Sequence, residues 1–122
     1  MKVVIISGSP KKNGNTQILM KYVFEYTKSK NVDTKLINLS DGQIECYKGP
    51  EEEYNEYTKN AANIIMDADV WLIGTPIYNS FFSSALKNLF EYINYKKTEG
   101  KVAGIVILAG CKIEVIDVQT LI

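Results

Sequence analysis

The sequence predicts a single α/β domain, residues 1–122, built on a parallel sheet with helices on both faces. Three observations carry this. Short apolar runs without polar alternation, such as Val3-Val4-Ile5-Ile6 and Val70-Trp71-Leu72-Ile73, suit strands buried on both faces. Between them stand segments with apolar residues at three- and four-residue spacing, the period of a helix lying on a core. The two kinds alternate along the chain, which is the order that builds parallel sheets.

Each element follows in turn. The first strand covers Val3 to Ile6, and a loop, Ser7 to Thr16, leaves its carboxyl end. A helix then runs from Thr16, with Leu19, Tyr22, Val23 and Tyr26 as its apolar positions. Asn31 to Asp33 is a break, Lys35 to Leu39 the second strand, and Ser40-Asp41-Gly42 a turn. Gln43 to Gly49 reads as loop. A second helix is expected to begin near Pro50, whose fixed φ suits a first turn. Glu51, Glu52 and Glu53 would complement its dipole, and Tyr54, Tyr57, Ala61, Ile64 and Ile65 would form its apolar face. Val70 to Ile73 is the third strand and Gly74 to Ser83 a loop. Leu86, Leu89, Phe90 and Ile93 mark a third helix, capped by Ser83 or Ser84. Gly100 is a break and Val102 to Leu108 the fourth strand. In the tail, Ile113 to Ile122, Ile113 and Val115 alternate around Glu114, which hints at a strand. A parallel place beside the fourth strand is closed to it, because about a dozen residues of crossover are needed.

Composition excludes several functions. Lys+Arg and Asp+Glu both number 14, so the chain lacks the positive excess of a nucleic-acid binder. No basic run suggests a membrane surface. Histidine is absent and the two cysteines, Cys46 and Cys111, stand far apart, so no zinc site or other metal site is expected. The first apolar run is too short for a signal-peptide core or a membrane span. The expectation is a cytoplasmic protein.

Two loops leave the carboxyl ends of apolar strands, where open α/β sheets bind ligands. The first, "SGSPKKNGNT", combines Gly8 and Gly14 with the donors Ser9, Asn13, Asn15 and Thr16 and the cations Lys11 and Lys12. It opens a helix, whose free N–H groups attract anions. Two readings stand side by side. One is a phosphate cradle. The other is a plain connection, with Asn13-Gly14 as its turn and Thr16 as an ordinary N-cap. A Walker loop and a GxGxxG fingerprint are both absent. The second loop begins "GTPIYNSFFSS". Tyr78, Phe81 and Phe82 could wall a flat ligand by stacking, while Asn79, Ser80 and Ser83 offer hydrogen bonds. The two phenylalanines could equally pack on the sheet or on a partner subunit.

Together, "SGSPKKNGNT" and "GTPIYNSFFSSALKNLFEYI" resemble the NADPH-dependent FMN reductases of the flavodoxin-like superfamily. The likeness covers roughly Met1 to Gly110, and it implies a doubly wound, three-layer α/β/α sheet with FMN at its edge. It implies that Ser9, Lys11, Asn13, Asn15 and Thr16 surround the FMN phosphate. Pro76, Ile77, Tyr78, Asn79 and Ser80 would line the ribityl chain and ring, and Gly110 would belong to a third flavin-side loop. The implied reaction carries hydride from NAD(P)H through FMN to a small-molecule acceptor, in a homodimer or higher homo-oligomer. The flavin does the chemistry, so no catalytic side chain is named. Against the family pattern, the usual fifth strand and last helices are expected to be missing or drastically shortened. That leaves the fourth strand as an edge needing a cover. Two rival functions are a flavodoxin-like electron carrier and a degenerate interaction module.

Overall fold

The computed structural model describes residues 1–110; the expected strand in the tail lies outside the described residues. Four strands form a parallel sheet: β1 (Lys2–Ser7), β2 (Asp33–Asn38), β3 (Val70–Tyr78) and β5 (Val102–Leu108). Their spatial order is β2-β1-β3-β5. A two-residue strand, β4 (Phe81–Phe82), pairs antiparallel with the end of β3. The helices are α1 (Asn15–Ser29), α2 (Glu56–Asp67) and α3 (Ser84–Glu91). The expected α/β class and element order are borne out.

β1 is central, and Val3 to Ser7 are all buried. Its alternation divides the core in two. Val4 and Ile6 point to the face covered by α2 and α3, where Ala61, Ile65, Leu86 and Leu89 meet Trp71 and Ile73. Val3 and Ile5 point to the other face, where Met20 of α1 closes over them with Val23 and Phe24 beside it. Helices therefore cover both faces, two on one and one on the other. That explains why the β1 run is apolar without alternation.

β5 pairs with β3 from Val70↔Val102 to Pro76↔Leu108. Among the described residues its other edge has no partner strand. Val102 is 64% exposed and Ile107 42%; the tail expected as a cover for this edge lies outside the described residues. At the amino end of the strand, Lys101 Nζ donates to the carbonyls of Met66 and Ala68 at 2.7 and 2.5 Å. A cation on the last carbonyls of α2 suits the negative end of its dipole.

Several expectations are corrected. The second helix begins at Glu56, not near Pro50, because Asn55 supplies the cap: its side chain accepts from Thr58 N at 2.8 Å. Glu51 has φ +64°, which breaks any helix through it. Tyr54 therefore lies in the preceding loop. Its ring stacks with Tyr47 at 6.1 Å and meets Tyr92 edge-on at 4.9 Å. Gly74 to Ser83 is not a loop throughout, since β3 runs on to Tyr78 and turns back into β4. On α1, Gly14 rather than Thr16 holds the N-cap position, and Tyr22 and Tyr26 are exposed while Thr16 and Met20 are buried. Ile93 falls just beyond the end of α3.

Tyr92 anchors the loop before α2. Its hydroxyl donates to the Glu45 carbonyl at 2.6 Å. Burial, with smaller contributions from Tyr54 and Glu45, pushes its phenol up to about 12. The folded state thus holds this proton more tightly than the unfolded chain does. The resulting stability is full below the ordinary phenol value of 10.0 and is lost as pH rises through about 12. Thermal melts at about pH 9 and about pH 11 should show a smaller alkaline drop in Tyr92→Phe than in the wild type.

Candidate functional site

The register brings three strand ends to one edge. Ser7 lies opposite Gly74, and Pro76 opposite Leu108. The loop Gly8–Gly14, the β3–β4 hairpin and Ala109-Gly110 therefore leave the sheet side by side. Sheet geometry thus brings every sequence-predicted cofactor residue to one edge, the edge where ligands bind in this class of fold.

The first of these loops is tied by its backbone to β3, the strand that carries the hairpin. Gly8 N donates to Gly74 O at 2.8 Å. A Cβ at Gly8 would stand 2.5 Å from that same carbonyl oxygen, and one at Gly74 would stand 2.4 Å from Met20. Both glycines are needed for close approach. Gly8→Ala must push backbone against backbone. It is expected to lower the melting temperature by several degrees, corresponding to about 2 kcal/mol or more, measurable by thermal denaturation.

Within the first loop, Ser9 is buried, and its Oγ accepts from Lys11 N at 3.1 Å. Lys11, Lys12, Asn13 and Asn15 are exposed, and Thr16 is buried. Asn13 takes φ +55°, and its N–H donates to Gln17 Oε1 at 2.5 Å. Asn tolerates that conformation better than most residues. The helix that follows differs from the other two. α2 and α3 carry side-chain caps from Asn55 and Ser83, whereas Gly14 offers none to the first turn of α1. Among the described residues, Lys11 and Lys12 form no salt bridge. Two free cations and an uncapped helix start share one loop, a setting that favours an anion.

In the hairpin, Ile77 is buried and pairs with Phe82. Tyr78 and Phe81 stand out at 45% and 47% exposure, while Phe82 packs on the core beside α2 and α3. The expected packing role thus falls to Phe82, and Phe81 is left at the rim. The turn residues Asn79 and Ser80 have φ +51° and +70°, as a two-residue hairpin of this hand requires. Serine pays a steric penalty there that glycine does not. Ser80→Gly is expected to stabilise the fold by up to about 1 kcal/mol, read as a raised melting temperature.

Sequence reasoning missed how the loops are joined. Ser83 was legible as a cap, and it does accept from Leu86 N at 3.1 Å. Its hydroxyl also donates to the Gly8 carbonyl, 75 residues away, and no local pattern signals that bond. A cleft of about 380 Å³ between Pro10, Ile44, Cys46 and Ala85 on the α3 side was likewise invisible, because distant residues form it. The described residues hold no cluster of metal-binding side chains.

A model of the NADPH-dependent FMN reductase family matches residues 1–120. The chain belongs to that family. A relative described as an NAD(P)H-dependent FAD/FMN reductase, from Geobacillus thermodenitrificans, is 36% identical over 113 residues, or 90% of this chain and 60% of the relative. An NADPH azoreductase of Bacillus sp. is 29% identical over 111 residues, again 90% of this chain and 60% of that protein. A crystal structure of an NADH:FMN oxidoreductase in its apo form aligns with TM-score 0.75 at 24% identity, covering 90% of this chain and 59% of that one. The fold is accordingly flavodoxin-like. The chain spans about 60% of the length of these curated relatives.

Proposed function

We propose that the chain binds FMN and carries electrons from NAD(P)H to a small-molecule acceptor. One observation carries this reading: the loop that leads to the uncapped, lysine-bearing start of α1 is tied by the Gly8–Gly74 contact to β3, the strand that ends in the aromatic hairpin. The donor set fits the group. An anion at the first loop meets free helix N–H groups and lysine charge, while a flat ring meets Tyr78. Relatives described as FMN and FAD/FMN reductases support the same choice.

In this reading Ser9, Lys11, Asn13, Asn15 and Thr16 hold the phosphate. Lysine serves as a point charge there rather than as a bidentate fork. Pro76, Ile77, Tyr78, Asn79 and Ser80 flank the sugar chain and ring, and Gly110 borders them from the end of β5. When bound, FMN supplies the redox chemistry by accepting hydride and passing electrons on. The protein's part is to bind, orient and shield, and no side chain is assigned as acid or base. The balance of 14 basic and 14 acidic residues gives no electrostatic pull toward nucleic acid. No helix among the described residues is long and apolar enough to cross a membrane. We place the protein in the cytoplasm, where NAD(P)H is generated, as one domain in a homodimer or higher homo-oligomer. Exposed Tyr78 and Phe81 beside the site suit an interface as well as a ligand.

The test is an absorbance spectrum after incubation with FMN and desalting, followed by anaerobic NADH or NADPH. Retained flavin bands that bleach on addition are expected. A colourless protein that leaves FMN fluorescence unquenched overturns the reading. Retained bands that do not bleach point instead to an electron carrier reduced by another protein.

A further inference from the structure

We propose that Ser83 is a positioning residue for the cofactor site, acting through the Gly8 carbonyl and held in place by Thr75; this rests on the FMN reading above. The proposal starts from a buried chain of hydrogen bonds. Ser83 and Thr75 are both fully buried, at 0% exposure. Ser83 Oγ donates its proton to Gly8 O and accepts from Leu86 N at 3.1 Å. Ser83 N donates to Thr75 Oγ1 at 3.2 Å, and that hydroxyl donates to Pro76 O at 2.9 Å. Every polar atom of these two side chains is used.

A helix cap needs only an acceptor, so Asn or Asp would serve α3 as well as Ser. The donor half of the hydroxyl has a different task. Gly8 is bound on both sides, its N–H by Gly74 O and its C=O by Ser83. That fixes the plane of the Gly8–Ser9 peptide. In a trans peptide the N–H points opposite to the C=O, so Ser9 N–H is turned away from α3. It has no hydrogen-bond partner among the described residues. Ser83 thereby sets the direction of the first free donor of the phosphate loop, while its own backbone N–H is tied to the strand that carries the hairpin. One residue aligns both halves of the site, although it lies outside the residues assigned to the cofactor.

The proposal is tested with Ser83→Ala and Ser83→Gly, which lose the hydroxyl. Glycine is a tolerated cap, so it guards against misfolding. Ser83→Thr keeps the hydroxyl and should restore wild-type behaviour. Asn55→Ala, which removes the cap of α2, controls for general loss of stability. Amide hydrogen exchange of the protein without ligand should rise about tenfold in residues 8–14 for Ala and Gly at position 83, the size of effect expected for one lost hydrogen bond. It should stay unchanged in that loop for Asn55→Ala. FMN affinity, read by fluorescence quenching, should weaken about tenfold in the same two variants and not in the control. Unchanged loop exchange overturns the proposal, as does faster exchange with unchanged FMN affinity. If the wild type itself fails to bind FMN, the functional reading falls, and the exchange measurement alone upholds or overturns the coupling between the loops.

Discussion

The molecule turns on one backbone contact, the approach of Gly8, just past the end of β1, to Gly74 within β3. It continues the β1–β3 pairing one step beyond the end of β1, so the loop that follows β1 stays in register with the strand that carries the hairpin. Neither position has room for a side chain. Everything at the candidate site is arranged around that junction: the helix start on one side, the hairpin on the other, and buried hydroxyls beneath. Because the contact is between main-chain atoms, it is insensitive to the identity of the surface residues around it. Lys11, Lys12 and Tyr78 at the rim are therefore not required to hold the fold.

α3 gathers the other connections. Its start is joined to the first loop through Ser83. From its middle, Asn88 accepts from Tyr47 N at 2.8 Å and donates to the Glu45 carbonyl at 2.9 Å. Just past its end, Tyr92 closes the tyrosine group. A helix of 8 residues is too short to be stable alone. Its stability comes from Leu86 and Leu89 in the core and from these polar ties. The loop before α2, which has little regular structure of its own, borrows its shape from α3 in the same way.

Much of this was legible in the sequence. The run Val3 to Ile6 found its strand because burial on both faces leaves a continuous apolar pattern. The two loops announced themselves by unusual residues at strand ends. What was illegible shares a physical cause. Pro50 and the three glutamates satisfy local helix rules, but Asn55 caps a later start and the packing of Tyr54 on Tyr92 holds the preceding residues in a loop. The extension of β3 through Pro76 was hidden because proline disfavours a strand interior. The exposure of Tyr22 and Tyr26 contradicts their helical period, since tyrosine counts as apolar in a pattern yet tolerates water. The Ser83–Gly8 bond joins residues too far apart for any local rule.

That separation has a consequence for how the protein acquires its shape. The loop Gly8–Gly14 is synthesised well before its partner, since Ser83, which bonds the Gly8 carbonyl, comes 75 positions later. The central strand likewise waits for β3 before its second edge is filled. Contacts of such long sequence separation carry a loop-closure cost before they are rewarded, and they form slowly. The ligand edge is therefore expected to be the last part of the sheet to order, after α1 has docked on β1. A chain emerging from the ribosome would present this loop unformed until α3 has cleared the exit.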